Sequence, residues 1–171
     1  MSSEMPDIEF EEFQAGSNEQ YLTFVLNNEY YGLSIRSVKE VIEYDKVTPV
    51  PMMSEFVKGV LNLRGEVVPV IDLNLRFGKG ETEIRHRSCI AILEIPYEDT
   101  TAVIGVVVDS VKEVIDIMPD QIDTPPSFGA QIKAQFIQGV ANIGKHFVII
   151  LDGEKVLSVE EMADIIEQST K

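Results

Sequence analysis

The chain holds a single cysteine, no tryptophan and two histidines among 171 residues, and its 14 basic side chains are outnumbered by 29 acidic ones. Each scarcity excludes something. Cys89 has no partner within the chain, so no disulfide framework supports the fold. Its setting, Cys89-Ile-Ala-Ile-Leu, reads as a structural thiol in an apolar strand. A net charge of −15 repels both the backbone of a nucleic acid and an anionic membrane surface. The longest apolar run, Ala102 to Val108, falls well short of the about 20 residues a membrane-spanning helix needs. The opening residues carry acids where a signal peptide carries a basic segment and an apolar stretch, so the expected location is the cytoplasm.

The apparatus of catalysis is equally sparse. His86 and His146 have no Cys or His companions at ligand spacing, and there is no glycine-rich phosphate loop, nucleophile elbow or zinc motif. No catalytic residue, metal or cofactor is therefore expected, and the chain is read as a non-enzyme. Hydrophobic residues make up 44% and charged residues 25%, an ordinary globular balance. The acids are unevenly spread: residues 1–18 hold Glu4, Asp7, Glu9, Glu11 and Glu12, no Lys or Arg, and no sustained apolar period. That segment is expected to be a disordered acidic tail.

What the chain does contain is a copy of itself. Gly32-Leu-Ser-Ile-Arg-Ser-Val-Lys-Glu-Val-Ile42 and Gly105-Val-Val-Val-Asp-Ser-Val-Lys-Glu-Val-Ile115 agree at seven of eleven positions. A second pair follows in the same order. Phe56-Val-Lys-Gly-Val-Leu-Asn-Leu-Arg-Gly-Glu-Val-Val-Pro-Val-Ile-Asp72 matches Phe136-Ile-Gln-Gly-Val-Ala-Asn-Ile-Gly-Lys-His-Phe-Val-Ile-Ile-Leu-Asp152. Two colinear matches at offsets of 73 and 80 residues indicate a duplicated module. Two copies are too few for a solenoid, and units of this size are marginal alone. The expectation is two small subdomains, about 19–86 and 87–155, packed over a shared apolar face, with exchange of terminal strands between them left open.

Within each copy the pattern is β. Tyr21 to Leu26 and Ser88 to Leu93 open the copies, and Ser-Val-Lys-Glu-Val-Ile reads as a strand with a short helical turn. Val57 to Leu63 and Glu66 to Asp72 read as a hairpin joined by Arg64-Gly65. Pro69 assigns the second of these strands to an edge or a bulge. Short strands with Gly and Pro turns favour small closed barrels. A capping box, Ser158-Val-Glu-Glu161, starts a C-terminal helix over about 156–168 that is expected to dock on a barrel. Asp72 and Asp152 end matched strands and are read as turn formers rather than an acid pair.

The copies part at one turn, where Arg64-Gly65 is replaced by Gly144-Lys145. The backbone needs only a permissive residue there, so Arg64 is either a solvated turn residue or a planar fork for a partner's carboxylate. Glu40 and Glu113 lie between valines on a solvent face.

These stretches, with Gly-Val-x-Asn-Leu-Arg-Gly-x-x-x-Pro-Val-x-Asp-Leu over Gly59 to Leu73 the most specific, resemble the CheW-like adaptor family of bacterial chemotaxis from about Gln20 to Met162. The resemblance implies an all-β fold of two SH3-like five-stranded barrels. It also implies a cytoplasmic scaffold linking chemoreceptor tips, the methyl-accepting chemotaxis proteins, to the regulatory domain of the histidine kinase CheA. By position it implies partner contacts at Val38, Glu40, Gly59, Asn62, Arg64, Ile90, Val114, Phe128 and Gly139, with Phe128 at a contact between ring neighbours. Asp123 departs from the basic residue that some relatives carry near that contact. Alternatives are a scaffold of a non-flagellar pathway, a piece of a longer CheV or CheA protein, and a small β-barrel ligand-binding protein or enzyme. The initiating Met and the capped terminal helix favour a complete protein over a piece.

Overall fold

The computed structural model describes residues 19–51, 55–78, 80–97, 99–123 and 137–152. The acidic tail, Phe128 and the expected C-terminal helix lie outside these residues. Strands β1 (Glu19–Leu26), β2 (Glu29–Ser34), β3 (Val38–Glu43), β4 (Val57–Leu63) and β5 (Glu66–Asp72) come from the first copy. A single helical turn, α1 (Leu73–Arg76), follows them. Strands β6 (Cys89–Tyr97), β7 (Thr100–Val108), β8 (Ser110–Ile117), β9 (Ile122–Asp123), β10 (Ile137–Ile143) and β11 (His146–Leu151) come from the second. A 3-10 turn at Ile35–Ser37 leads into β3, as the sequence pattern of the first copy suggests.

Neither sheet is built from one copy. One runs β3-β6-β7-β5-β4 and the other β8-β1-β2-β11-β10-β9. Each copy therefore sends its first hairpin into the other's sheet. The slots correspond residue by residue: Gly105 of β7 pairs with Val70 of β5, and Gly32 of β2 pairs with Ile150 of β11, both in parallel. Ile90 pairs with Ile42, and Tyr21 pairs with Ile115. Even the bulges recur. β4 carries an extra residue between Val57 and Gly59, and β10 carries one between Ile137 and Gly139.

Both sheets curl shut. The backbone of Thr48, beyond β3, exchanges two 2.8 Å hydrogen bonds with Val60 of β4 at the opposite edge. In the other sheet β9, a few residues past β8, pairs with β10. The result is two small barrels, the mostly-β double-barrel architecture expected from the sequence pattern and the resemblance. One barrel is filled by Leu61, Val68, Val70, Ile90, Ile92 and Val107, the other by Tyr21, Ile117, Ala141, Val148 and Ile150. A larger core lies between them, with Phe24, Tyr31 and Leu33 from one sheet and Ile71, Leu93, Ile104 and Val106 from the other. The exchanged hairpins are thus buried on both faces, which explains apolar runs such as Ala102 to Val108 that do not alternate.

Pro69 is not at an edge, because β5 lies between β7 and β4. Its partner Val60 spends both backbone groups on Thr48, so the Val60–Pro69 pair has no ladder bond to lose. Pairing of β5 with β7 starts only at Val70, so the missing N–H is needed on neither side. Asp72 is fully buried and caps α1, accepting from the amides of Asn74 at 3.0 Å and Thr82 at 2.8 Å and from the Thr82 hydroxyl at 2.6 Å. It is the turn former its spacing suggests. Unlike Asp72, Asp109 ties the two halves, its Oδ2 accepting from the Asn27 amide in the β1–β2 turn at 2.8 Å.

The closing segments leave no room over two glycines. A Cβ on Gly59 would lie 2.2 Å from the Thr48 carbonyl oxygen, and one on Gly139 would lie 2.3 Å from the Ile122 side chain. Gly59→Ala and Gly139→Ala are expected to lower stability by about 2 kcal/mol or more, read as a fall in the urea midpoint. Burial, helped by the neighbouring Glu29, pushes the Tyr31 hydroxyl well above the usual tyrosine value of 10.0. A raised folded value means stability that is intact below the unfolded pKa and lost as pH climbs past it. The urea midpoint is therefore expected to fall as pH rises above about 10, and less steeply in Tyr31→Phe.

Candidate partner-binding surface

The β4–β5 turn is two residues long, closed by the Leu63–Glu66 pair. Both turn residues take positive φ, 51° at Arg64 and 90° at Gly65, as a type I′ hairpin requires. Asn62 holds the turn from below, its Oδ1 accepting from the Gly65 amide at 2.9 Å. In the second copy only Gly144 has positive φ, 60°, and Lys145 does not. The duplicate thus solves the same turn without placing a long side chain in the left-handed region. That placement costs Arg64 about 1–2 kcal/mol.

The contact found among the described residues does not offset this cost. Arg64 Nη2 meets Glu40 Oε2 at 2.5 Å, with the arginine side chain 66% exposed and the glutamate 25%. Ion pairs this open are worth about 0–1 kcal/mol. The pair spans the seam where the first barrel closes, since Glu40 is on β3 and Arg64 joins β4 to β5, at opposite edges of the sheet. A guanidinium has five donors, so most of its hydrogen-bonding capacity faces outward.

The other implied contact residues fall in different settings. Val38, half-buried on β3, packs against the central core, and Asn62 is exposed. Gly59 is buried beneath Thr48, and Gly139 beneath Ile122 and Asp123. Ile90 has no exposed surface and fills the first barrel. Val114, half-buried on β8, lies opposite Leu22 in the second barrel. Among the described ones, only Glu40, Asn62 and Arg64 are drawn together at one tip. Beside these, the sequence reading passed over an exposed apolar pair at matched positions, Val67 at 48% and Phe147 at 67%. Their signal was an apolar residue one place past the start of the second hairpin strand in both copies.

Burial, then the nearby Glu43, pushes the Cys89 thiol up, which favours its protonated form. Among the described residues, no group of three or more His, Cys, Asp or Glu side chains is placed to hold a metal ion. No helix among them is long and apolar enough to cross a membrane.

Two closed barrels around a shared core define the class, a mostly-β double-barrel protein. The comparisons make that specific. The model of the CheW-like domain matches residues 20–161. The chain is 36% identical over 145 residues to the chemotaxis protein CheW of Klebsiella aerogenes, covering 85% of each. It is 33% identical over 147 residues to that of Treponema pallidum, covering 84% of each. The crystal structure of the scaffolding protein TtCheW from Thermoanaerobacter tengcongensis superposes with a TM-score of 0.75 at 35% identity, covering 84% of this chain and 90% of that one. The chain belongs to the CheW-like family, whose members are scaffolds of chemotaxis rather than enzymes.

If Arg64 serves recognition and not folding, its removal leaves the fold intact. Arg64→Asn, which supplies the residue favoured at this turn position, is expected to keep the unfolding free energy from urea titration or raise it by up to about 1 kcal/mol. A loss of more than about 1 kcal/mol, beyond what an open ion pair supplies, would make the arginine structural.

Proposed function

We propose that this chain is the coupling scaffold of a chemosensory array. It binds the regulatory domain of a CheA-type histidine kinase and the cytoplasmic tip of methyl-accepting chemotaxis receptors together, in the cytoplasm, and joins the membrane only through those partners. The observation that carries this reading is the family match over residues 20–161, joined to an arginine held in a costly conformation at an exposed tip. Such strain persists where the surroundings or a function require it. Coupling needs two faces and no pocket: whatever changes the packing of one partner against the scaffold biases the other through a shared assembly.

In this reading Arg64 and Glu40 form the polar, receptor-facing surface, with Asn62 holding the turn. The guanidinium offers a receptor carboxylate the donors that Glu40 leaves free, a fork lysine does not reproduce. Val38 and Val114 supply apolar contacts at the edge strands β3 and β8. Ile90, Gly59 and Gly139 act from beneath, by fixing the strands that carry those contacts. Phe128 is assigned to the contact between ring neighbours.

The test is a pull-down with purified CheA and a receptor signalling fragment, first separately and then together, followed by receptor-dependent kinase activity. Capture of neither partner would overturn the coupling role. Arg64→Glu is expected to stay folded and keep kinase binding while weakening receptor binding by about 2 kcal/mol, roughly thirtyfold. Full receptor-dependent activation by Arg64→Glu would remove Arg64 from the receptor surface.

A further inference from the structure

The exchanged hairpins carry a consequence for self-association. The halves 19–72 and 89–152 are held together by the pairings of β3 with β6, β5 with β7, β1 with β8 and β2 with β11, and by the central core, to which both contribute. Covalently they are joined only through residues 73–88. The first part of that connection is pinned to its own half, because Asp72 accepts from Asn74 and Thr82. The stretch Glu83 to Arg87 is exposed throughout. The ties found there are local: Arg85 pairs with Glu83, and its amide and carbonyl close a turn on Ser88.

We propose that two copies of this chain exchange halves through Glu83–Arg87. The first half of one chain then completes its double barrel with the second half of the other. Every strand pairing of the monomer recurs in such a dimer: Gly105 still meets Val70, and Gly32 still meets Ile150, but across chains. Only the path of the hinge differs. That near-identity of contacts is the condition under which swapping has a low cost. Opening a folded monomer would tear apart both barrels and the shared core, so exchange occurs while chains fold and is slow afterwards. The occupant of each slot is a second copy of this chain, because no unrelated partner reproduces both registers at once. A swapped dimer also displays two Arg64 turns in one particle.

The first test refolds the full chain from urea at about 5 µM and about 500 µM, since a bimolecular step responds to concentration. Light scattering after gel filtration is expected to find monomer at the low concentration and added dimer at the high one. The dimer persists on dilution, and labelled and unlabelled chains mix in it only when they are refolded together. Monomer alone at both concentrations, or mixing of native chains within minutes, would overturn the proposal. The second test refolds Gly59→Val and Gly139→Val together. Each variant has one spoiled half, so a mixed dimer contains one wild-type double barrel. Random pairing places such units at about a quarter of those in the dimer fraction. They are expected to unfold at the wild-type urea midpoint, which neither variant shows alone. A dimer fraction that unfolds as the sum of the two separate variants would refute the exchange.

Discussion

The reciprocal placement of β1–β2 and β6–β7 is the constraint from which the rest of this structure follows. A single copy has too few apolar residues to bury a barrel and a second face independently. By lending its first hairpin to the other copy, each half gains a strand pair with two buried faces. One face of β6 fills a barrel through Ile90 and Ile92, while the other sends Ala91, Leu93 and Ile95 into the central core. The central core therefore has no owner, and the two barrels form one cooperative body. Asp109, reaching across to the Asn27 turn, belongs to the same arrangement.

Symmetry of this kind makes departures from it informative. Bulges, parallel registers and crowded glycines recur in both copies because the backbone needs them twice. The hairpin tip is where the backbone is satisfied by two different solutions. The second copy uses glycine at the left-handed position, at little conformational cost. The first copy uses arginine, and the Glu40 pair is too exposed to offset the difference.

Much of the local structure was legible. The hairpin Val57–Leu63 and Glu66–Asp72 falls where turn chemistry and the apolar pattern put it. Asp72, expected to form a turn, does so as the cap of α1. Pro69 was misread, because a proline is excluded from a central strand only where its missing N–H faces a partner. That depends on Thr48 taking the bonds of Val60. The candidate site was half legible. The departure from the repeat picked out Arg64, but nothing in the spacing brings Glu40, 24 residues away, into contact with it. Curvature of the closed sheet does that.

The sequence alone determined the duplication, the β character and the turns, because these rest on periodicity, residue type and short-range sterics. Tertiary structure decided which copy each hairpin serves. The two pairings, within a copy or between copies, present the same apolar faces and the same turns. They differ in the long-range pairings of β3 with β6, β5 with β7, β1 with β8 and β2 with β11, and in the core that forms between the barrels. Tertiary structure also decided that Ile90, Gly59 and Gly139 lie inside while Arg64 stands out. Burial is a property of where strands meet, and strand meetings separated by dozens of residues leave no mark in local pattern.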